Sequence, residues 1–492
     1  MIGLAHLGGP IACIALALLL VAKTRRERMA GLGFAAFGTC VLFASISPQA
    51  HVLELVGGFF GLLAAGLGLA IVFRRWAWVM PLAALACVPV RFGVHVGGAS
   101  TKLLAPLYVV ILGAAILLAW DLVTGDERIR ELRAMAWPLA LYLAWTGLSI
   151  SWSHDVREGA VELLAFYIPF TLLAVAIARL PWSALGLRLL YLELTVMGLA
   201  FSIVGFYQYD TRNIFENPKL GVSNAYAPFF RVNSVFWDPS IYGRFLVVAL
   251  APSLVLLAFG RSLRNALLAA AAIVVMWVGL LISFSQSSFA ALLVVVIGVA
   301  FALWRWRALI AVALAFAVLA GIAAAQPQIR RTLEHHTRSG LNSASSGRSS
   351  LVANGIRIAK AHPVRGVGVG GFKRAYAKRV HFKGKNPKKA ASHNTPVTVA
   401  AETGAPGLAL YLWLLVVLLR QAFRRSGRVG FTAGLGLAAI FGHSLFYNAF
   451  FEDPVTWGLI GLVALASPVL LQVRRPASPP PPAVEEREAV PV

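Results

Sequence analysis

Thiols and carboxylates are what this chain has least of. Its 492 residues include three cysteines and 20 acidic residues against 44 basic ones. Cys13, Cys40 and Cys87 all fall inside long apolar runs. The polar segments between those runs therefore offer no disulfide framework and no thiolate metal site. They also carry no DxD and no cluster of carboxylates of the kind that holds a divalent ion, so neither metal nor cofactor is expected. Only 13% of residues are charged and 59% are hydrophobic, which excludes a soluble globule. No internal repeat and no soluble domain stands out. The first apolar run lacks a basic flank before it, MIGLAHLGG, and so reads as a retained helix rather than a cleavable signal.

What remains is a succession of about 15 apolar stretches of membrane-helix length. They lie near 5–22, 30–47, 54–73, 76–90, 104–120, 134–152, 159–178, 187–207, 241–259, 265–283, 286–303, 308–325, 396–419, 431–449 and 454–472. The expected fold is an all-α integral membrane protein, a polytopic bundle of about 12–15 transmembrane helices. Placing the basic run from Lys23 to Arg28 in the cytoplasm and alternating puts about half of the basic residues at cytoplasmic ends. The N-terminus is then outside and the C-terminus inside. Two long external loops, 208–240 and 326–395, hold most of the rest, and long loops cross largely regardless of charge. The net charge of +24 is thus split across a membrane, which argues against a nucleic-acid partner. An organisation follows from this: N-terminal helices over 1–200, a helical region with both loops over 201–475, and a disordered Pro-rich tail over 476–492.

Chemistry concentrates between Ser345 and Tyr411. Arg348 opens a segment in which Leu351, Val352, Gly355, Ile356 and Ala359 recur on one helical face. It thereby stands near a helix N-terminus, a setting that favours an anion. Pro363 stops that helix, and Gly366, Gly368, Gly370 and Gly371 form a loop whose backbone can approach a ligand. His393 precedes an expected cap at Thr395 and a first-turn Pro396. Glu402 follows inside the apolar run, about 9 Å further on. An acid there is costly unless paired or functional.

As a set, these features resemble the O-antigen ligase and O-antigen polymerase family of bacterial membrane glycosyltransferases. The resemblance is carried by Arg348 with its helix, by HPVRGVGVGGF, and by HNTPVTVAAETGAPG. Upstream, FFRVNSVFWDPSIYGRFL is similar to the family's Arg-to-Pro motif, and SFSQSSFAALL to its serine-rich helix start, with Gln286 where the family often has Arg. The likeness covers roughly residues 200–465. It implies a GT-C-like architecture in the plasma (inner) membrane, with the site on the external, periplasmic face. It also implies metal-free, inverting transfer of a glycan from a polyprenyl (undecaprenyl) diphosphate carrier to a glycan or lipid-anchored sugar acceptor. Such a reaction belongs to lipopolysaccharide or other cell-envelope polysaccharide assembly.

Within that reading Arg231 and Arg348 are the expected diphosphate ligands, because Arg offers a permanently charged fork matched to phosphate. His393 is the expected base for the acceptor hydroxyl. Glu402, Arg244, Arg365 and Lys102 are expected to contact substrate. Arg91, His95 and Lys102 form a basic cluster whose blander explanation is interfacial anchoring. Aromatics Phe229, Phe230, Phe236 and Trp237 suit either sugar stacking or headgroup depth. A transporter or flippase of lipid-linked glycans is the alternative, and a non-catalytic assembly scaffold is a third.

Overall fold

The computed structural model describes residues 2–46, 52–96, 99–125, 131–215, 217–226, 229–314, 348–381, 392–425 and 427–465. The tail at 476–492 and residues 326–347 and 382–391 of the expected loop 326–395 lie outside them. The chain is a helical polytopic membrane protein, in which eight described helices are long and apolar enough to cross a membrane.

The N-terminal part runs through α1 (Ala5–Val21), α2 (Arg25–Ile46), α3 (Val52–Arg75) and the short α4 (Val79–Ala86). An antiparallel ribbon of β1 (Phe92–Val96) and β2 (Ala99–Leu103) follows, with Gly93 paired to Lys102. His95 lies on β1 and Lys102 on β2, with Arg91 just before the ribbon. Next come α5 (Ala105–Thr124), α6 (Ala136–Ser149), α7 (Val156–Glu162) and α8 (Ile168–Arg179). One π-turn, Leu163–Tyr167, joins the last two into a single rod.

After it stand α9 (Ala184–Thr211), α10 (Pro218–Tyr226), α11 (Pro239–Phe259), α12 (Leu263–Ser283) and α13 (Gln286–Trp304). Within the expected external loop 208–240, α9 continues to Thr211 and α10 adds over two turns, started by Asn217, whose Oδ1 accepts the Leu220 N–H at 3.3 Å. The final elements are α14 (Arg348–Ala361), α15 (Phe372–Arg379), α16 (Thr395–Arg425), α17 (Gly427–Ser444) and α18 (Pro454–Ala464).

Two apolar cores hold these helices. One gathers α1, α5, α6 and α8 with α16 and α18, and the other gathers α11, α12 and α13. Helix α17 belongs to both: Leu437 and Ile440 face the first, Leu435 and Ala439 the second. Its run of Gly and Ala lets neighbours approach closely, the usual device for helix packing in lipid. At one end of the bundle, Glu131 ties together Arg28 and Arg179, the latter at 2.6 Å, and Asp121 stands 3.6 Å from Arg179. Arg25 caps α5 by donating to the Leu122 and Val123 carbonyls.

Two measurements check this arrangement. Reporters inserted after Phe229 and after Arg261 should read opposite sides, because only α11 separates them; the same side for both would break the helix order. Glu131→Ala removes the carboxylate that Arg28 and Arg179 share, and should cost about 3–5 kcal/mol, read as a fall in melting temperature.

Candidate functional site

The centre of the site is a backbone break. Helix α16 is interrupted at Gly404, with φ 71° and ψ −171°, and the groups freed there are taken up by the glycine loop. The Val367 N–H donates to the Ala401 carbonyl at 2.9 Å, Gly368 N–H to Glu402 at 2.8 Å, and Ala405 N–H to Pro363 at 2.7 Å. The indole of Trp145 donates to the Thr403 carbonyl at 2.8 Å. Gly366, Gly368 and Gly370 all have positive φ, of 65°, 81° and 71°. A Cβ at Gly366 would lie 2.3 Å from Glu402 backbone, so glycine is demanded there by space as well as by angle.

The α6–α7 corner grips the same loop from its other side. His154 N–H donates to Val367 O at 2.9 Å, Ser153 Oγ to Val369 O at 2.7 Å, and Val369 N–H to Ser149 Oγ at 3.1 Å. Arg365, expected to bind substrate, sits exposed with its guanidinium 5.9 Å from the Trp152 ring centroid. Its carbonyl accepts from the Trp152 indole at 2.9 Å. Glu402 is buried, and its carboxylate accepts from the Phe372 N–H at 3.2 Å, at the start of α15.

Arg231 is set by amides on both sides of it. Asn224 accepts from its N–H at 3.1 Å and donates to its carbonyl at 2.9 Å. The fully buried Gln208 fixes the next residues, donating to Ser234 O at 2.9 Å and accepting from Ser234 N–H at 2.8 Å. The Arg231 Nε reaches the Ser283 carbonyl at 3.3 Å. Burial holds this guanidinium below the ordinary arginine value, Asp238 opposes that shift, and Arg348 adds to it. The two expected phosphate ligands are thus within electrostatic reach of one another. Phe236, in contrast, is core: it packs on Phe201, Tyr242 and Phe245. Phe229 stays half-exposed and stacks on Phe284 at 4.7 Å.

Arg244, in the second turn of α11, pairs with Asp453 at 2.7 Å, both side chains buried. Asp453 also caps α18 through the Val455 N–H at 3.0 Å. Arg91 reaches the same place from the α4–β1 junction. Burial lowers its pKa, and Tyr447, Arg244 and Asp453 all act on its charge. Lys102 lies on β2, eleven residues further along the chain.

The helix after His393 is capped one residue earlier than expected. Asn394 accepts from the Val397 N–H at 3.0 Å and donates to the Leu445 carbonyl at 3.0 Å, so it both caps α16 and ties it to the loop after α17. Pro396 is in the first turn as expected. His393 itself has φ 59°, a left-handed conformation that a non-glycine residue seldom adopts. Its ring lies 6.1 Å from that of Tyr447, which lies 5.6 Å from His443 on the far side. His443 Nε2 stands 3.0 Å from Ser287 Oγ, and Arg348 and Arg244 both act on its charge. Ser287 follows the α13 N-cap, Ser285, whose hydroxyl is 2.8 Å from that of Ser288.

Four residues here escaped sequence reasoning: His443, Tyr447, Asp453 and Ser287. The available signal was the polar run HSLFYN within apolar surroundings. Arg91 was read as an anchor. Glu452, exposed yet ringed by protein, has its carboxyl pushed up to about 7 by desolvation, with Arg244 and Arg91 pulling the other way. Among the described residues no group of three His, Cys, Asp or Glu is placed to hold a metal ion.

Residues 271–412 match the O-antigen ligase family. The match takes in Arg348, Arg365, His393 and Glu402, while Arg91, Arg231, Arg244 and the loop after α17 lie outside it. No curated protein matches the chain. That family stretch is the one organised around the Gly404 break, and its integrity can be measured. Gly366→Ala should lower melting temperature by the equivalent of a few kcal/mol, about 1–3 for the strained angle before any clash. Gly221→Ala, on exposed α10 with open space around it, should change it little.

Proposed function

We propose that the protein is a membrane glycosyltransferase that moves a glycan from a polyprenyl diphosphate carrier to a sugar hydroxyl in surface-polysaccharide assembly. The observation that carries this reading is the His393–Tyr447–His443 row, with Arg348 acting electrostatically on both His443 and Arg231. The family match over 271–412 supports it.

In this mechanism the donor's diphosphate lies on Arg231 and Arg348. Arg244 and Arg91 extend the positive field, and Tyr447, whose phenol is kept neutral by burial, supplies a hydrogen-bond donor among them. His393 accepts the acceptor's hydroxyl proton. The acceptor oxygen bonds to the anomeric carbon from the face opposite the carrier, with inversion. The carbon–oxygen bond to the carrier breaks, and its electron pair leaves on the diphosphate. Fixed cations aimed at that growing charge are the main source of rate in such a site. Glu402 then acts through the glycine loop, and Arg365 and Lys102 serve outer parts of the glycan. The site faces the periplasmic side of the inner membrane.

Purified protein supplied with a lipid-diphosphate glycan and an acceptor should form a new glycosidic product. Lipid movement without product would mean a flippase, and neither would mean a scaffold. Arg348→Ala should abolish transfer and Arg348→Lys restore it poorly, since a point charge cannot replace a bidentate fork. His393→Ala should lower turnover by about 10²–10⁴-fold with donor binding nearly unchanged. Chelators should leave the rate intact; a loss that Mg²⁺ restores would replace the arginine mechanism. Glu452 is neutral below about pH 7 and anionic above it. Donor KM should therefore rise as pH climbs through 7, and Glu452→Gln should flatten that limb.

A further inference from the structure

The bundle end clasped by Glu131 carries a pocket of its own. It lies at the far end of the α7–α8 rod from the corner that grips the glycine loop, about 35 Å away at 1.5 Å per residue. A cavity of about 680 Å³ opens there between the ends of α3, α5 and α8, with Phe73, Met80 and Leu117 as its apolar wall. Among the described residues its charged lining is Arg74, Asp121 and Arg179. Arg74 is exposed, and its guanidinium lies 4.7 Å from the Trp120 ring centroid. Arg179 is buried and donates to Glu131 at 2.6 Å, whereas Asp121 stands 3.6 Å from it with 30% of its side chain open. Trp76, Trp78 and Trp120, all exposed, stand in or next to the helix ends that form the cavity, the mark of headgroup depth. None of the lining residues falls within 271–412, and glycosyl transfer uses none of them.

We propose that this cavity binds the headgroup of a bilayer phosphatidylethanolamine, with the phosphate on Arg74 backed by Arg179 and the ammonium on Asp121. Depth and lining argue for a phospholipid: a basic pocket between helix ends at headgroup level suits a lipid phosphate, and the apolar wall suits the chains below it. The mixed charge selects the headgroup. A phosphoethanolamine group carries its two opposite charges on either side of a two-carbon bridge, and Arg179 and Asp121 present their complements 3.6 Å apart. Its ammonium has three N–H donors for the carboxylate, a charge-assisted contact. Phosphatidylglycerol brings no cation to Asp121 and leaves that carboxylate beside a second anion. Phosphatidylcholine has no N–H to give. An aromatic face would otherwise suit its choline, but Arg74 already covers Trp120.

Lipid retention tests the assignment without any assay of transfer. Full-length protein from nanodiscs holding equal parts phosphatidylethanolamine, phosphatidylglycerol and phosphatidylcholine is moved into detergent, and the lipids it keeps are counted by native mass spectrometry. Phosphatidylethanolamine should be enriched about fivefold over each of the others. Asp121→Asn should bring its ratio to phosphatidylglycerol near one. Arg74 is exposed and outside the Glu131 cluster, so Arg74→Gln leaves the bundle intact and should lower retention of both phospholipids. Arg75→Gln, next to it but outside the cavity lining, should change neither. Equal retention of the three lipids by the unmodified protein would overturn the proposal, as would a preference that survives Asp121→Asn or a retention that Arg74→Gln does not lower. Displacement of the retained lipid by soluble phosphoethanolamine would overturn the lipid assignment and leave a site for a free phosphate ester.

Discussion

A helix that stops hydrogen-bonding inside a membrane must place its freed groups on protein, because lipid offers none. That constraint governs this molecule. The break at Gly404 exists because Pro363, Val367 and Gly368 supply the missing partners, and those residues hold their course because Ser149, Ser153 and His154 hold them. Three stretches distant in sequence are thereby locked into one layer. On top of it lie the start of α14 with Arg348 and the start of α16 with His393. Glu402, a carboxylate deep in an apolar helix, spends itself on the backbone of this layer.

The helices were readable because membrane helices announce themselves by length and apolarity; α5, α11, α12 and α13 begin and end within a few residues of the runs that foretold them. The helix at Arg348 was readable too, though its buried stripe is Leu351, Gly355 and Ile358, with Ile356 exposed. An amphipathic pattern gives period better than phase when both faces carry small residues. The cap before Pro396 moved by one residue because Asn394 outcompeted Thr395 for the same N–H.

What the sequence concealed is long-range pairing. Ser287 and His443 are 156 positions apart, and nothing local links them. Arg91 resembled any basic residue at a membrane edge, and its nearness to Asp453 depends on the chain after α4 lying beside α11 and the start of α18, where Val88, Val248 and Val455 line one small cavity. The glycine loop was visible as glycine, yet its partner was not: positive φ explains three of the glycines, but only the Glu402 backbone 2.3 Å away explains why Gly366 admits no side chain.

The cluster of Arg28, Arg179, Glu131 and Asp121 bears on how the chain is made. While the helices are being inserted, Glu131 has not yet met either arginine, and the machinery that orients each helix responds to bare positive charge with little regard for acids. Arg28 and Arg179 therefore act first as signposts. Once the bundle closes they are buried, and the same two charges become a clasp that joins the α2 and α8 ends through Glu131. One pair of residues thus serves biogenesis and then architecture in succession. Swapping either arginine for lysine would keep the signpost and loosen the clasp, so a correctly oriented protein can still be a poorly assembled one.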